Sequence, residues 1–197
     1  MRPVKTLLAV AVLVALGGGG AWCGQAQAGA SAEENEVGVT GTYRNAKYAY
    51  SVQVPAGLRA YRMKAPAPNH GIAMHAPGND TDLVWVDGSF DAAGYGSAGA
   101  YAKWLADVYR TRNGLSIVGI SRTVLSNLDA REATLKGTAT PGRGGQKYVH
   151  LVVAFRRMGH GNTPVIYTIG VQAHSSDSAV VKAFPAVVES FRTLPWN

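Results

Sequence analysis

Gly94-Tyr95-Gly96-Ser97-Ala98-Gly99 has the G-x-G-x-x-G spacing, follows a strand-like run and opens a helix-like one. In a dinucleotide site such glycines let the backbone approach a pyrophosphate at a helix start. Here Asp91-Ala92-Ala93 separates the run from the first glycine. About twenty residues on, where an acid should hold a ribose, stands Gly119-Ile120-Ser121. The stretch therefore also reads as a plain loop in which Ser97 caps the helix. Ser97 is not a nucleophile elbow, because G-x-S-x-G needs glycine where Tyr95 stands. Gly94, Gly96 and Ser97 remain candidate ligand contacts on the rim of a pocket.

The five histidines raise metal chemistry. His70 and His75 are five apart, so on one strand they point to opposite faces. His150 and His174 flank a hairpin. If it pairs across Gly161, both fall near one end and on the same, more polar face, where they would begin a zinc or copper site. No third ligand is evident. Asp80, Asp82, Asp87 and Asp91 are the densest acids, but their spacing is not that of a calcium loop. Glycoside chemistry needs paired carboxylates, and beyond residue 36 only Glu132 and Glu189 remain as glutamates. The expectation is no catalysis, no cofactor and no assigned metal.

These residues must be positioned by a chain of strands and two helices. Tyr48, Tyr50, Val52 and Val54 alternate until Pro55-Ala56-Gly57 stops the run. Pro66-Ala67-Pro68 marks a stiff loop. Short strands follow over 71–75 and 83–90. The period then changes: Tyr101, Trp104, Leu105 and Val108 share a helical face over 97–112, with Gly114 as the stop. Strands over 116–125 and 131–139 are joined near Ser126-Asn127. Beyond the loop Pro141-Gly142-Arg143-Gly144-Gly145, strands over 147–157 and 165–173 form a hairpin. A helix over 177–191 buries Val180, Phe184, Val187 and Phe191, and Pro185 should kink or restart it. Trp104 and Phe191 are expected in the core. Consecutive strands on short turns make an antiparallel sheet with helices packed on it, an α+β fold.

Tyr48-Ala49-Tyr50-Ser51-Val52-Gln53-Val54-Pro55-Ala56-Gly57 and Ser190-Phe191-Arg192-Thr193-Leu194, with the strand order between them, resemble the PsbP-like fold over about 42–195. That fold is named for an extrinsic subunit of the photosynthetic oxygen-evolving complex and occurs in small bacterial envelope proteins. The resemblance implies an α/β/α sandwich and an accessory or binding role. It supplies no catalytic residue to carry over.

The N-terminus bears an address. Arg2 and Lys5 precede an apolar run over 6–16, a glycine stretch and Ala26-Gln27-Ala28, the three parts of a secretory signal peptide. The run is shorter than the roughly 20 apolar residues of a membrane span. Cleavage after Ala28 would leave 169 of the 197 residues and lower the formal charge from +7 to +5. Cys23 is the lone cysteine and opens an alternative, lipidation there, although Trp22 stands where that processing prefers a small residue. Residues 29–41 read as a flexible leader with no core contribution, and 42–197 as a single domain.

With 47% hydrophobic and 16% charged residues the composition is globular. Basic residues are scattered, Arg156-Arg157 being the sole adjacent pair, so no basic stripe for nucleic acid exists. Two readings follow. One is a non-enzymatic periplasmic or secreted protein that contacts another envelope protein. The other is a periplasmic small-molecule or metal-binding protein.

Overall fold

The computed structural model describes residues 38–62, 70–137, 147–159 and 161–196. Ala26, Ala28, Cys23, His160 and the loops at 66–68 and 141–145 lie outside the described residues.

Eleven strands and two helices follow in chain order among these residues: β1 (Gly38–Val39), β2 (Thr42–Asn45), β3 (Tyr50–Gln53), β4 (Arg59–Arg62), β5 (Gly71–His75), β6 (Leu83–Phe90), α1 (Ala98–Asn113), β7 (Ser116–Leu125), β8 (Leu128–Lys136), β9 (Tyr148–Met158), β10 (Thr163–Ala173), α2 (Ala179–Ser190) and β11 (Arg192–Thr193). Eight strands form one sheet in the order β1-β4-β5-β6-β10-β9-β8-β7, and β11-β3-β2 form a small second one. Every pairing is antiparallel. Within the meander, the hairpins β7–β8 and β9–β10 follow from short turns. Between β7 and β8, Ser126 and Asn127 both take positive φ, 48° and 67°, as a two-residue hairpin turn requires. So tight a turn starts β8 at Leu128, earlier than the expected 131.

The large sheet is covered on both faces. On one lies α1, which buries Ala98, Tyr101, Ala102, Leu105, Ala106 and Tyr109 against Ala133, Leu135, Val149, Leu151, Val153 and Ile166. On the other lie α2 and the small sheet, over Val152, Ala154, Val165, Tyr167, Ile169 and Val171. Tyr50, Tyr167 and Phe191 join these layers. Phe191 stacks on Tyr50 at 5.4 Å and meets Tyr167 edge-on at 5.3 Å. Tyr167 Oη also donates to the Tyr48 carbonyl at 2.7 Å.

Three further expectations change, and one holds. Trp104 is half-buried, because the helix rests on Tyr101, Leu105 and Tyr109, with Ala102 and Ala106 admitting close approach to the sheet. Phe191 is fully buried, as expected. The helix α2 runs through Pro185 without restarting. Pro185 is exposed, so water can serve the carbonyl its missing N–H leaves free. Finally, Gly38 and Val39, read as leader, pair with Tyr61 and Ala60, and Val39 packs on the core. The pairing supplies order that two residues of local sequence do not announce.

Candidate functional site

The Gly94–Gly99 loop is closed on itself. Asp91 accepts hydrogen bonds from Tyr95 N at 2.8 Å and Gly96 N at 2.7 Å. Gly94 and Gly96 both hold φ of 73°, which aims these amides inward at the carboxylate. Ser97 Oγ accepts from Ala100 N at 3.1 Å and caps α1. A phosphate placed there would meet a carboxylate, and two of the amides it needs are taken. Burial and then the Asp91 charge push the Tyr95 phenol up.

The structure does not bring His150 and His174 together. Val171 faces His150 across β9 and β10, and Ala173 faces Tyr148. His174 is thus one residue past the strand and of opposite side-chain parity to His150. The His150 ring packs on Phe184 of α2 at 4.9 Å, so its face is core rather than polar surface. Its Nε2 lies 3.5 Å from Glu132 Oε1. Burial lowers the His150 pKa, and Glu132 opposes this without cancelling it.

His174 belongs to a different cluster. Asp82, only 4% exposed, accepts from His174 N at 3.0 Å, His174 Nδ1 at 2.7 Å, Ser178 Oγ at 2.7 Å and Asn79 Nδ2 at 3.2 Å. Burial pushes the Asp82 carboxyl up, but the hydrogen bonds from Ser178, His174 and Asn79 outweigh it and hold it below its ordinary 3.8. Serine, histidine and aspartate meet here, but Ser178 donates directly to the carboxylate. A nucleophile would need its proton aimed at an imidazole. The cluster locks the start of β6, the end of β10 and the start of α2 together.

His70 precedes β5. Its Nε2 is 2.9 Å from Tyr48 Oη, its Nδ1 3.6 Å from Asp87, and its carbonyl accepts from Tyr50 Oη, Asn45 Nδ2 and Gly88 N. Tyr48 is 1% exposed, which keeps its hydroxyl from a substrate. Burial, then Tyr43 and Asp87, push the Tyr50 phenol up. His75 pairs instead with Asp80 at 3.4 Å. The four aspartates at 80, 82, 87 and 91 thus serve separate partners, and no group of three metal-ligating side chains occurs among the described residues.

Two of the depressions on the surface of the described residues bear on a ligand role. One, of about 440 Å³, is lined by Thr42, Ser51, Gln53, Glu189, Ser190 and Arg192. The other, of about 270 Å³, follows the outer side of α1 along Trp104, Asp107, Val108, Thr111 and Arg112. Both are shallow and open.

The feature that sequence reasoning missed is β7. It ends the large sheet, so one edge has no strand beside it among the described residues. Ile117 and Leu125 at its ends pack on the two core layers, but most of the strand between them is exposed. Val118, Ile120 and Val124 are 62%, 39% and 66% exposed. Their spacing reads as a half-buried strand, and no local signal tells which strand ends a sheet.

Two layers of helix and small sheet around a large antiparallel meander define the PsbP-like fold, and this chain has it. The solution structure of cyanobacterial PsbP (CyanoP) from Synechocystis sp. PCC 6803 is similar at TM-score 0.53 and 15% identity, covering 80% of this chain and 95% of that one. The crystal structure of LpqN, involved in cell envelope biogenesis of Mycobacterium tuberculosis, is similar at TM-score 0.53 and 14% identity, over 74% of this chain and 83% of that one. No protein-family model and no curated protein matches the sequence.

Proposed function

We propose that this is a non-enzymatic accessory protein of the cell envelope, exported by its N-terminal signal and acting through contact with another protein at the β7 edge. The observation that carries the reading is β7 itself. Its outward N–H and C=O groups have no ladder partner among the described residues, and three aliphatic side chains stand beside them. An edge of this kind is a template for another extended chain. Export rests on Arg2, Lys5, the apolar run and Ala26-Gln27-Ala28. The LpqN likeness supports an envelope setting, since a protein of this fold serves envelope biogenesis there. No helix among the described residues is long and apolar enough to cross a membrane.

The side chains best suited to chemistry support a role without catalysis, because each is engaged structurally. Ser97 caps a helix, Ser178 donates to Asp82, and His70 is tied to Tyr48. The test is a photo-cross-linking residue at Val124 in cells, with Asp177 as the control position on another surface. A defined protein adduct from 124 and none from 177 is the expected outcome. Equal labelling from both positions, or none, removes the reading.

A further inference from the structure

We infer that the β7 edge pairs with β7 of a second copy of this chain, in a two-fold antiparallel arrangement centred on Ser121. The inference rests on the reading that this edge is the working surface, and it names the partner.

β7 is ten residues long, contains no proline and carries one charge, Arg122. Natural edges are usually shortened, charged or covered. Here the main protection is the bulge between Ile117 and Gly119, near the strand's start. From Gly119 to Leu125 the ladder with β8 is regular, so the outer edge is regular there too.

A two-fold axis normal to the sheet keeps each residue on its own face, so an antiparallel self-pairing must centre on a residue. Centring on Arg122 sets two guanidinium groups opposite each other, which is destabilising. Centring on Ile120 sets Val118 against Arg122 and Val124 against Ser116. Centring on Ser121 sets Ile120 against Arg122 and Thr123 against Gly119 within the regular stretch, and brings Val118, the bulge residue, beside Val124 of the second copy, twice by symmetry. That register covers the two most exposed valines with each other.

Charge favours a like partner as well. The chain has an excess of positive charge, which discourages self-association in general. Around the centre of this edge the charge balances. Arg122 Nε lies 3.8 Å and Arg131 Nη1 3.0 Å from Asp129 Oδ1, and Glu132, opposite Ser121, adds a second acid on the other face of the sheet. The like-charge repulsion that opposes contact elsewhere is therefore weakest here.

The test uses the protein expressed from its own start and purified as the cell processes it, in a Cys23→Ser background. Sedimentation equilibrium should show a dimer for the parent. Val118→Lys with Val124→Lys should weaken dimerisation about ten-fold or more, by placing lysine against lysine at both ends. Val118→Glu with Val124→Lys carries the same number of changes but pairs opposite charges, and should restore the dimer. Both sites are exposed, so circular dichroism should show all three proteins folded alike. Ser121→Cys should oxidise to a disulfide-linked dimer, because directly opposed strand residues lie within disulfide reach. Thr123→Cys, which would face Gly119, should not. A parent that remains monomeric, or a dimer untouched by the double lysine variant, overturns the inference. A monomer that still forms an adduct from position 124 with a different protein overturns it too, while leaving the accessory reading standing.

Discussion

Asp82 shows how a few side chains fasten distant parts of this chain. Its partners are Asn79, His174 and Ser178, the last two more than ninety positions away in sequence. Asp82→Asn places an amide N–H among donors that expect an acceptor, and should cost about 2 kcal/mol. Because the folded carboxyl is held below its ordinary 3.8, the stability it contributes is whole above that pH and drains away as pH falls through the lower folded value. Urea titrations of parent and variant should therefore differ at pH 7 and converge in acid. A difference that does not shrink as pH falls below 3.8 would show that Asp82 does not act through its ionised carboxylate. Gly170 offers a steric test of the opposite sheet face. A Cβ there would lie 2.2 Å from the Trp85 ring. Gly170→Ala should destabilise by about 1–3 kcal/mol, and the indole fluorescence should shift as the ring moves.

The helix α1 divides what local chemistry controls from what packing controls. Its limits are set by the Ser97 cap and by Gly114, whose φ of 67° suits glycine at a helix end. Both are visible in the sequence, and the expected 97–112 lies within a residue of Ala98–Asn113. Ser97→Ala should cost about 1 kcal/mol, read by thermal denaturation. A null effect would mean that the Asp91-closed loop positions the helix by itself. Which stripe faces the sheet was less legible. Tyr101, Trp104, Leu105 and Val108 form one apolar stripe on a helical wheel; Tyr101 and Leu105 do meet the sheet, but the contact extends to Ala102, Ala106 and Tyr109 and leaves Trp104 and Val108 half-buried. Alanines add little to an apolar stripe, yet they permit the closest approach of helix to sheet. The strand β7 was found at its expected 116–125, but its exposure was hidden for a related reason. Val118, Ile120 and Val124 alternate as buried residues do, whereas burial depends on what lies beside the strand.

Across the whole molecule, two layers close on the large sheet through Tyr50, Tyr167 and Phe191. Phe191→Ala should cost about 3–5 kcal/mol, seen as a lower denaturation midpoint, because no backbone neighbour can refill a site between two sheets. A loss under 1 kcal/mol would show that α2 docks by other contacts. At the N-terminus, intact-mass measurement should find the chain beginning at Gly29. A lipid-bearing Cys23 as the first residue would replace cleavage after Ala28 with anchoring. The class of fold, both helices and the four-stranded meander were legible from residue types alone, because period, caps and turn chemistry act over a few positions. The place of each strand in the eight-stranded order was not, since pairings such as β6 with β10 join residues about eighty apart. For the same reason His150 and His174 parted to different clusters, Asp82 found its donors and β7 became an exposed edge. Each is set by contacts between segments that no local pattern encodes.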